Sequence, residues 1–320
     1  VRTIERVIKT STRIQKPSKG WLSTAKSQYQ LIIMSIPAML ILILFSYVPL
    51  WGWIMAFQKY SPAKGVFGSE FTGLDTFRTL FKDPIFYEVL RNTLVMSIMS
   101  LGAGFVGAIV LALLLNEVKF SLFKRTIQTI TYIPHFVSWI VIANIILVGL
   151  SPDGGFINEL LMTAGIINEP IYFMAEGKWF WWIHTFAGLW KELGWSTIIY
   201  LAVLGGVNTE LYEAASVDGA GRFSKMRHIS IPGLIPTAMM LLILNTGWIL
   251  SSGFESQFLL GSNLVIEYSQ VLDLYAMNYA FSIGDYSLGV AISIFKSIVS
   301  IILVLSVNFL ARKLDQGKIF

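Results

Sequence analysis

Six stretches of the chain stay apolar for twenty residues or more, at about 31–54, 92–115, 127–150, 179–204, 233–253 and 286–310. A helix rises 1.5 Å per residue, so roughly 20 such residues cross about 30 Å of hydrocarbon, and the pattern predicts six membrane-crossing helices. Runs such as Ile41-Leu42-Ile43-Leu44-Phe45 are apolar on every side, whereas strands of a membrane barrel alternate in polarity over segments of about ten residues. The expected fold is an all-α membrane protein: an arm at 1–30, then a transmembrane domain over 31–320. The segment 55–91 is long, polar and broken by Pro and Gly, which predicts a small subdomain rather than a tight turn. No internal repeat is visible.

Composition agrees with this reading. Of 320 residues, 55% are hydrophobic and 13% charged, about half the charge share of a soluble domain, and the mean hydropathy is +0.66. The absence of cysteine excludes disulfide and thiol chemistry. The three histidines, His135, His184 and His228, share no HExxH spacing to make a zinc site; core or interface roles are expected of His135 and His184.

Charge decides orientation. An even number of spans puts both ends on one side. The arm holds 7 Lys/Arg, the segments 116–126 and 205–232 hold 3 each, and the tail 3, whereas the opposite segments hold 5, 1 and 0. Positive charge stays inside, so both ends are expected in the cytoplasm. Of the 19 acidic residues, 12 fall in the three outward segments, which predicts an acidic outer face. The arm resembles the basic start of a signal peptide, but the apolar run behind it is too long and no small-residue cleavage site follows. An uncleaved first span is expected, with the arm lying against anionic lipid and no nucleic-acid role.

The segment with most chemistry is 205–232. Asn208 can cap a short helix with Glu210 in its first turn, and Gly219 and Gly221 around Ala220 can end it and turn the chain. A second short helix is expected from Arg222, stopping before Pro232, which disfavours helical geometry at Ile231. A helix, a small-residue turn and a helix on the membrane face suit insertion into a groove of another protein. No nucleotide cradle is present; Gly219-x-Gly221 follows no strand and opens no βαβ unit.

These residues resemble the EAA loop of ATP-binding-cassette importer permeases: Glu213-Ala214-Ala215, three residues, Gly219, nine residues, then Ile229-x-x-Pro232, with Asp218 and Ala220 matching the extended form. The order Trp190, Gly194, Tyr200-Leu201-Ala202, Gly253-Phe254-Glu255, Lys296 and Asn308, with Tyr47-Val48-Pro49 and Tyr132-Ile133-Pro134-His135 earlier, resembles the branch importing oligosaccharides and polysaccharides, the alginate importer among them. The resemblance implies a pore-forming subunit, not an enzyme, in a bacterial inner membrane, with alternating access driven by ATP. It further implies a second homologous permease, two copies of a cytoplasmic ATPase gripping 213–232, and a periplasmic or extracellular solute-binding protein. ATP and Mg would sit on the ATPase, with no cofactor in this chain. A rigid short helix can pass ATPase closure to the spans as a rigid-body motion.

Within the spans, Asn144, Lys191, Glu192, Asn245, Trp248 and Lys296 are candidates for the substrate route, because intramembrane polar groups mark pathways or internal pairs. Both readings stay open for Lys191, Glu192 and Lys296. Lys191 and Glu192 are adjacent, point about 100° apart, and are not expected to bridge to each other. Asn245 and Trp248, three apart, could offer an amide and an aromatic face to a sugar. The acidic outer face opposes a polyanion such as alginate unless a binding protein shields it. A secondary carrier is the alternative reading, but Glu192 is the sole acidic residue in any expected span and no inverted repeat appears. An intramembrane enzyme lacks any Gly-x-Ser-x-Gly or paired-His motif.

Overall fold

The computed structural model describes residues 28–251 and 253–313, so the basic arm, apart from its last residues, and the end of the tail lie outside the described part. The chain divides into two compact units, 1–54 and 55–320. In the first unit, helix α1 (Tyr29–Leu42) passes into a π turn (Ile43–Tyr47), and a 3-10 stretch begins at Val48. Pro49 has no N–H to donate, and the change of helical register falls just before it.

The second unit opens with a two-stranded hairpin and a short helix. Strand β1 (Gln58–Lys59) pairs antiparallel with β2 (Glu70–Phe71), and helix α2 (Asp75–Lys82) follows. Helix α3 (Pro84–Glu117) starts well before the expected residue 92, because Pro84 occupies its first turn and the Asp83 side chain accepts from Ile85 N–H at 2.9 Å. Asp83 also accepts from the hydroxyls of Tyr275 and Tyr279, tying the start of α3 to a later segment.

The expected straight span at 127–150 is instead broken. Helix α4 (Ser121–Tyr132) runs into a 3-10 turn (Ile133–Phe136), and helix α5 (Trp139–Gly149) leaves at a bend of 102°. Val137 and Ser138 between them are extended, and Pro134 stands within the turn, so helical bonding does not pass through. After a short helix α6 (Phe156–Thr163) comes α7 (Gly177–Gly205), matching the fourth expected stretch. Helix α8 (Thr209–Val217) is the first helix of the 205–232 segment.

Here the expectation about Pro232 fails. Helix α9 runs unbroken from Arg222 to Gly247, with Ile231 in right-handed helical geometry. A π turn at Met226–Ser230 absorbs the proline: Ile231 N–H reaches back five residues to Met226 O, and the missing donor of Pro232 falls at the return to α-helical register. Helices α10 (Phe254–Leu260), α11 (Leu272–Met277) and α12 (Tyr286–Lys313) complete the chain.

Among the described residues, four helical runs are long and apolar enough to cross a membrane, or five if the bent α4–α5 pair counts as one crossing. Helix α7 has a span's length at 29 residues, but Lys191 and Glu192 sit in its middle. Where α3, α7 and α9 meet, Ala108, Ala112 and Ala238 pack with Tyr200, Leu204 and Leu234, and a methyl on Gly107 would lie 3.0 Å from Leu193. Lipid solvates apolar groups as well as protein does, so such contacts are won by close approach of small residues rather than by expulsion of water. A second cluster joins Met96 of α3, Ala143 of α5, and Phe180 and Ala187 of α7 to Leu260. Ile98, Val106 and Val110 of α3 and Ile298, Ile301 and Leu305 of α12 are exposed.

Candidate functional site

Two places bring the candidate residues together. The first is the turn from α8 into α9. Asn208 accepts from Glu210 N–H at 3.0 Å, the expected cap. At the other end, Gly219 N–H bonds Ser216 O and Ala220 N–H bonds Ala215 O, with Gly219 at φ +78°. This pair of bonds around a left-handed residue is a Schellman stop, which favours glycine. Gly221 is extended and leads into α9. Two side-chain ties brace the turn: Lys225 Nζ donates to Ser216 Oγ at 2.6 Å, and the hydroxyls of Tyr212 and Ser230 meet at 3.0 Å. No residue of α8 is buried, and Glu213, Asp218 and Gly219 are exposed together with the apolar Leu211, Val217 and Phe223. Ile229 is half-buried and Pro232 exposed at the base of α9. The result is a braced, protruding helix with an apolar tip.

The second place is a cavity of about 540 Å³ between α3, α7 and α9. Glu192, Asn245 and Trp248 line it; Asn144, Lys191 and Lys296 do not. Asn144 is exposed on α5, and Lys296 pairs with Asp273, taking the internal-pair reading. Lys191 is buried and donates to the carbonyls of His135 and Val137, each at 2.7 Å. Those carbonyls stand at the break between α4 and α5, where helical partners are missing, so the ammonium satisfies groups the bend would otherwise orphan. Gly194, one turn on, lets α7 approach closely, since a methyl there would lie 2.1 Å from Thr131 O. Against expectation, Lys191 and Glu192 do approach as an ion pair, Nζ to Oε1 at 3.9 Å, because long flexible side chains can fold toward each other even from adjacent helical positions; the gap is too wide for a hydrogen bond.

Aromatic and hydroxyl groups stand among the aliphatic residues of the walls: Trp139, Trp195, Tyr200, Ser97, Ser100 and Ser196 join Trp248 and Asn245. At one end, Ser256 donates to Gly253 O at 2.8 Å and therefore accepts from His184 Nε2–H at 2.9 Å, which leaves His184 Nδ1 a buried acceptor without a partner among the described residues. Gly253 takes φ +91°, and a methyl there would press on His184 and Gln257. His135 contacts Glu192 Oε2 at 2.8 Å through Nδ1 and stacks on Trp195 at 4.4 Å. The sequence reading missed these histidine pairings because their partners are 57 and 72 residues away. One signal was present: His184, Gly188, Glu192, Trp195 and Ile199 follow helical spacing and all face the cavity.

Among known proteins, residues 104–319 match the family described as binding-protein-dependent transport system inner membrane component. Protein LplB of Bacillus subtilis (strain 168) is 41% identical, over 94% of each chain. The polygalacturonan/rhamnogalacturonan transport system permease protein YteP of the same organism is 42% identical, over 92% of this chain and 91% of its own. A solved bacterial alginate ABC transporter, in complex with an alginate pentasaccharide-bound periplasmic protein, contains a chain that superposes with TM-score 0.86 at 33% identity, covering 94% of this chain and 100% of that one.

Proposed function

Because the chain belongs to the family of binding-protein-dependent transport system inner membrane components and is a sugar ABC importer permease, we propose that its cargo is an acidic oligosaccharide of the alginate or polygalacturonan kind. The observation that carries this is the agreement of two relatives, each covering over nine-tenths of the chain, whose names give polyuronate cargo. The cavity supports it: indole and phenol faces match the flat apolar faces of sugar rings, and serine and asparagine groups match their hydroxyls.

In this reading the chain crosses the bacterial inner membrane six times with both ends in the cytoplasm, the bent α4–α5 pair and α7 counting as the third and fourth crossings. The α8–α9 turn, Glu213 to Pro232, is the coupling element gripped by a separate ATPase, present in two copies and holding ATP and Mg. A second homologous permease completes the pore, and a solute-binding protein delivers the sugar and shields its charge from the acidic outer segments. Support comes from the exposed apolar tip of α8 and from the braces that make the turn rigid enough to transmit force. A secondary carrier is not supported by the family match.

The test is reconstitution with the partner permease, ATPase and binding protein in proteoliposomes, followed by uptake of labelled tetragalacturonide, alginate tetrasaccharide and a neutral tetrasaccharide. ATP-dependent uptake of an acidic sugar in preference to the neutral one is expected. Preference for the neutral sugar overturns the cargo, and uptake without the ATPase overturns the coupling.

A further inference from the structure

Among the described residues lining the cavity, Glu192 is the one carboxylate, and no lysine or arginine stands beside it in the wall. Its side chain is 44% exposed, so its charge is open to whatever occupies the space. Yet the carboxylate is held in place. Oε2 meets His135 Nδ1 at 2.8 Å, and the His135 ring lies flat on Trp195 with 3° between the planes. His135 is itself fixed, because its carbonyl accepts from Lys191. The Lys191 ammonium lies 3.9 Å from Oε1, near enough to balance the charge and too far for a hydrogen bond. Oε1 thus has no hydrogen-bond donor among the described residues. A positioned, charge-balanced acceptor facing an aromatic cavity is the chemistry that binds a pair of sugar hydroxyls, each donating to a carboxylate.

We propose that Glu192 is a sugar-binding and specificity-determining residue, accepting hydrogen bonds from adjacent hydroxyls of one saccharide unit inside the cavity. The inference rests on the reading of this cavity as the saccharide route and adds a register to it. A carboxylate repels another carboxylate, so a uronate unit here turns its hydroxyl edge toward Glu192 and its acid group away. The bend between α4 and α5 then matters to binding, because it delivers His135 to Glu192.

The experiment uses the reconstituted importer. Glu192→Gln keeps its one amide oxygen for His135 but puts an NH2 donor where Oε1 stood and loses the charge, so the KM for tetragalacturonide uptake is expected to rise roughly tenfold while kcat stays within about twofold, the loss of about one charge-assisted hydrogen bond. An unchanged KM in the assembled variant overturns the proposal. A second measurement uses the wild-type complex: carbodiimide modification of Glu192, read by peptide mass spectrometry, is expected to fall severalfold under saturating tetragalacturonide. Equal modification with and without the sugar overturns the proposal even where Glu192→Gln fails to assemble. Wild-type uptake with an unprotected Glu192 removes this inference alone, whereas absence of oligosaccharide uptake by the wild type removes the functional reading as well.

Discussion

At the scale of single residues, Lys191 has the most to lose from substitution. Its ammonium serves two carbonyls at the α4–α5 break, and Lys191→Met would leave both of these half-buried groups without that donor, at about 1 kcal/mol each. A fall of several degrees in the melting temperature of the detergent-solubilised protein is expected, and an unchanged melting curve would mean that the carbonyls find other donors. Gly194→Val should behave alike, because its branched side chain meets the backbone of Thr131 and α4 must move away. Lys191, Glu192 and Lys296 stood out in the sequence only as costly intramembrane charges. Their separate duties, backbone clamp, cavity carboxylate and partner of Asp273, depend on segments 23 to 57 residues distant, and nothing in local spacing encodes such pairings. Asn144, by contrast, shared with the cavity-lining Asn245 the signal of a lone amide in an apolar run, and only Trp248, three residues after Asn245, set the two apart in sequence.

Elements were more legible. Apolar run length located α3, α7 and α12 to within a few residues at most of their ends, apart from the extra turns that Asp83 and Pro84 add to α3. The Asn208 cap and the Gly219 stop were readable because helix ends are governed by neighbours in sequence. Two prolines misled in opposite directions. Pro232 was expected to end a helix and does not, since a π turn ahead of it takes up the register; Pro134 passed as part of a straight span that is in fact bent by 102°. The penalty for a lost donor is local, but whether it is met by a π turn or by a break is decided by tertiary partners, here Lys191. At this scale Gly219→Pro is expected to dismantle the α8 stop, since proline cannot adopt φ +78° and cannot donate to Ser216 O. Loss of the ATPase subunit on co-purification, or at least a severalfold drop in sugar-stimulated ATP hydrolysis, should result while the protein still inserts; wild-type coupling would show that the turn is not gripped.

Over the whole of the second unit, the cavity and the turn proposed to couple to the ATPase are joined by one helix. Helix α9 begins at Arg222 beside Gly219 and carries Leu241 and Asn245 to the cavity wall, with Trp248 directly after its end. At 1.5 Å per residue, Pro232 and Asn245 are about 20 Å apart along a continuous rod. A push on α8, braced to α9 through Tyr212 and Ser230, therefore moves one wall of the cavity without any chain of intermediate contacts, and the two ends of α9 ought to be separable by mutation. Asn245→Ala and Trp248→Ala remove an amide and an indole from the wall and touch nothing in the turn, so sugar uptake should fall severalfold while the ATPase still co-purifies in full. Gly219→Pro should do the reverse, releasing the ATPase while carbodiimide labelling of Glu192 remains sensitive to sugar. If the wall variants also shed the ATPase, or the turn variant also abolishes that protection, α9 is not a rod between two separate sites and the cavity and the turn fold as one unit.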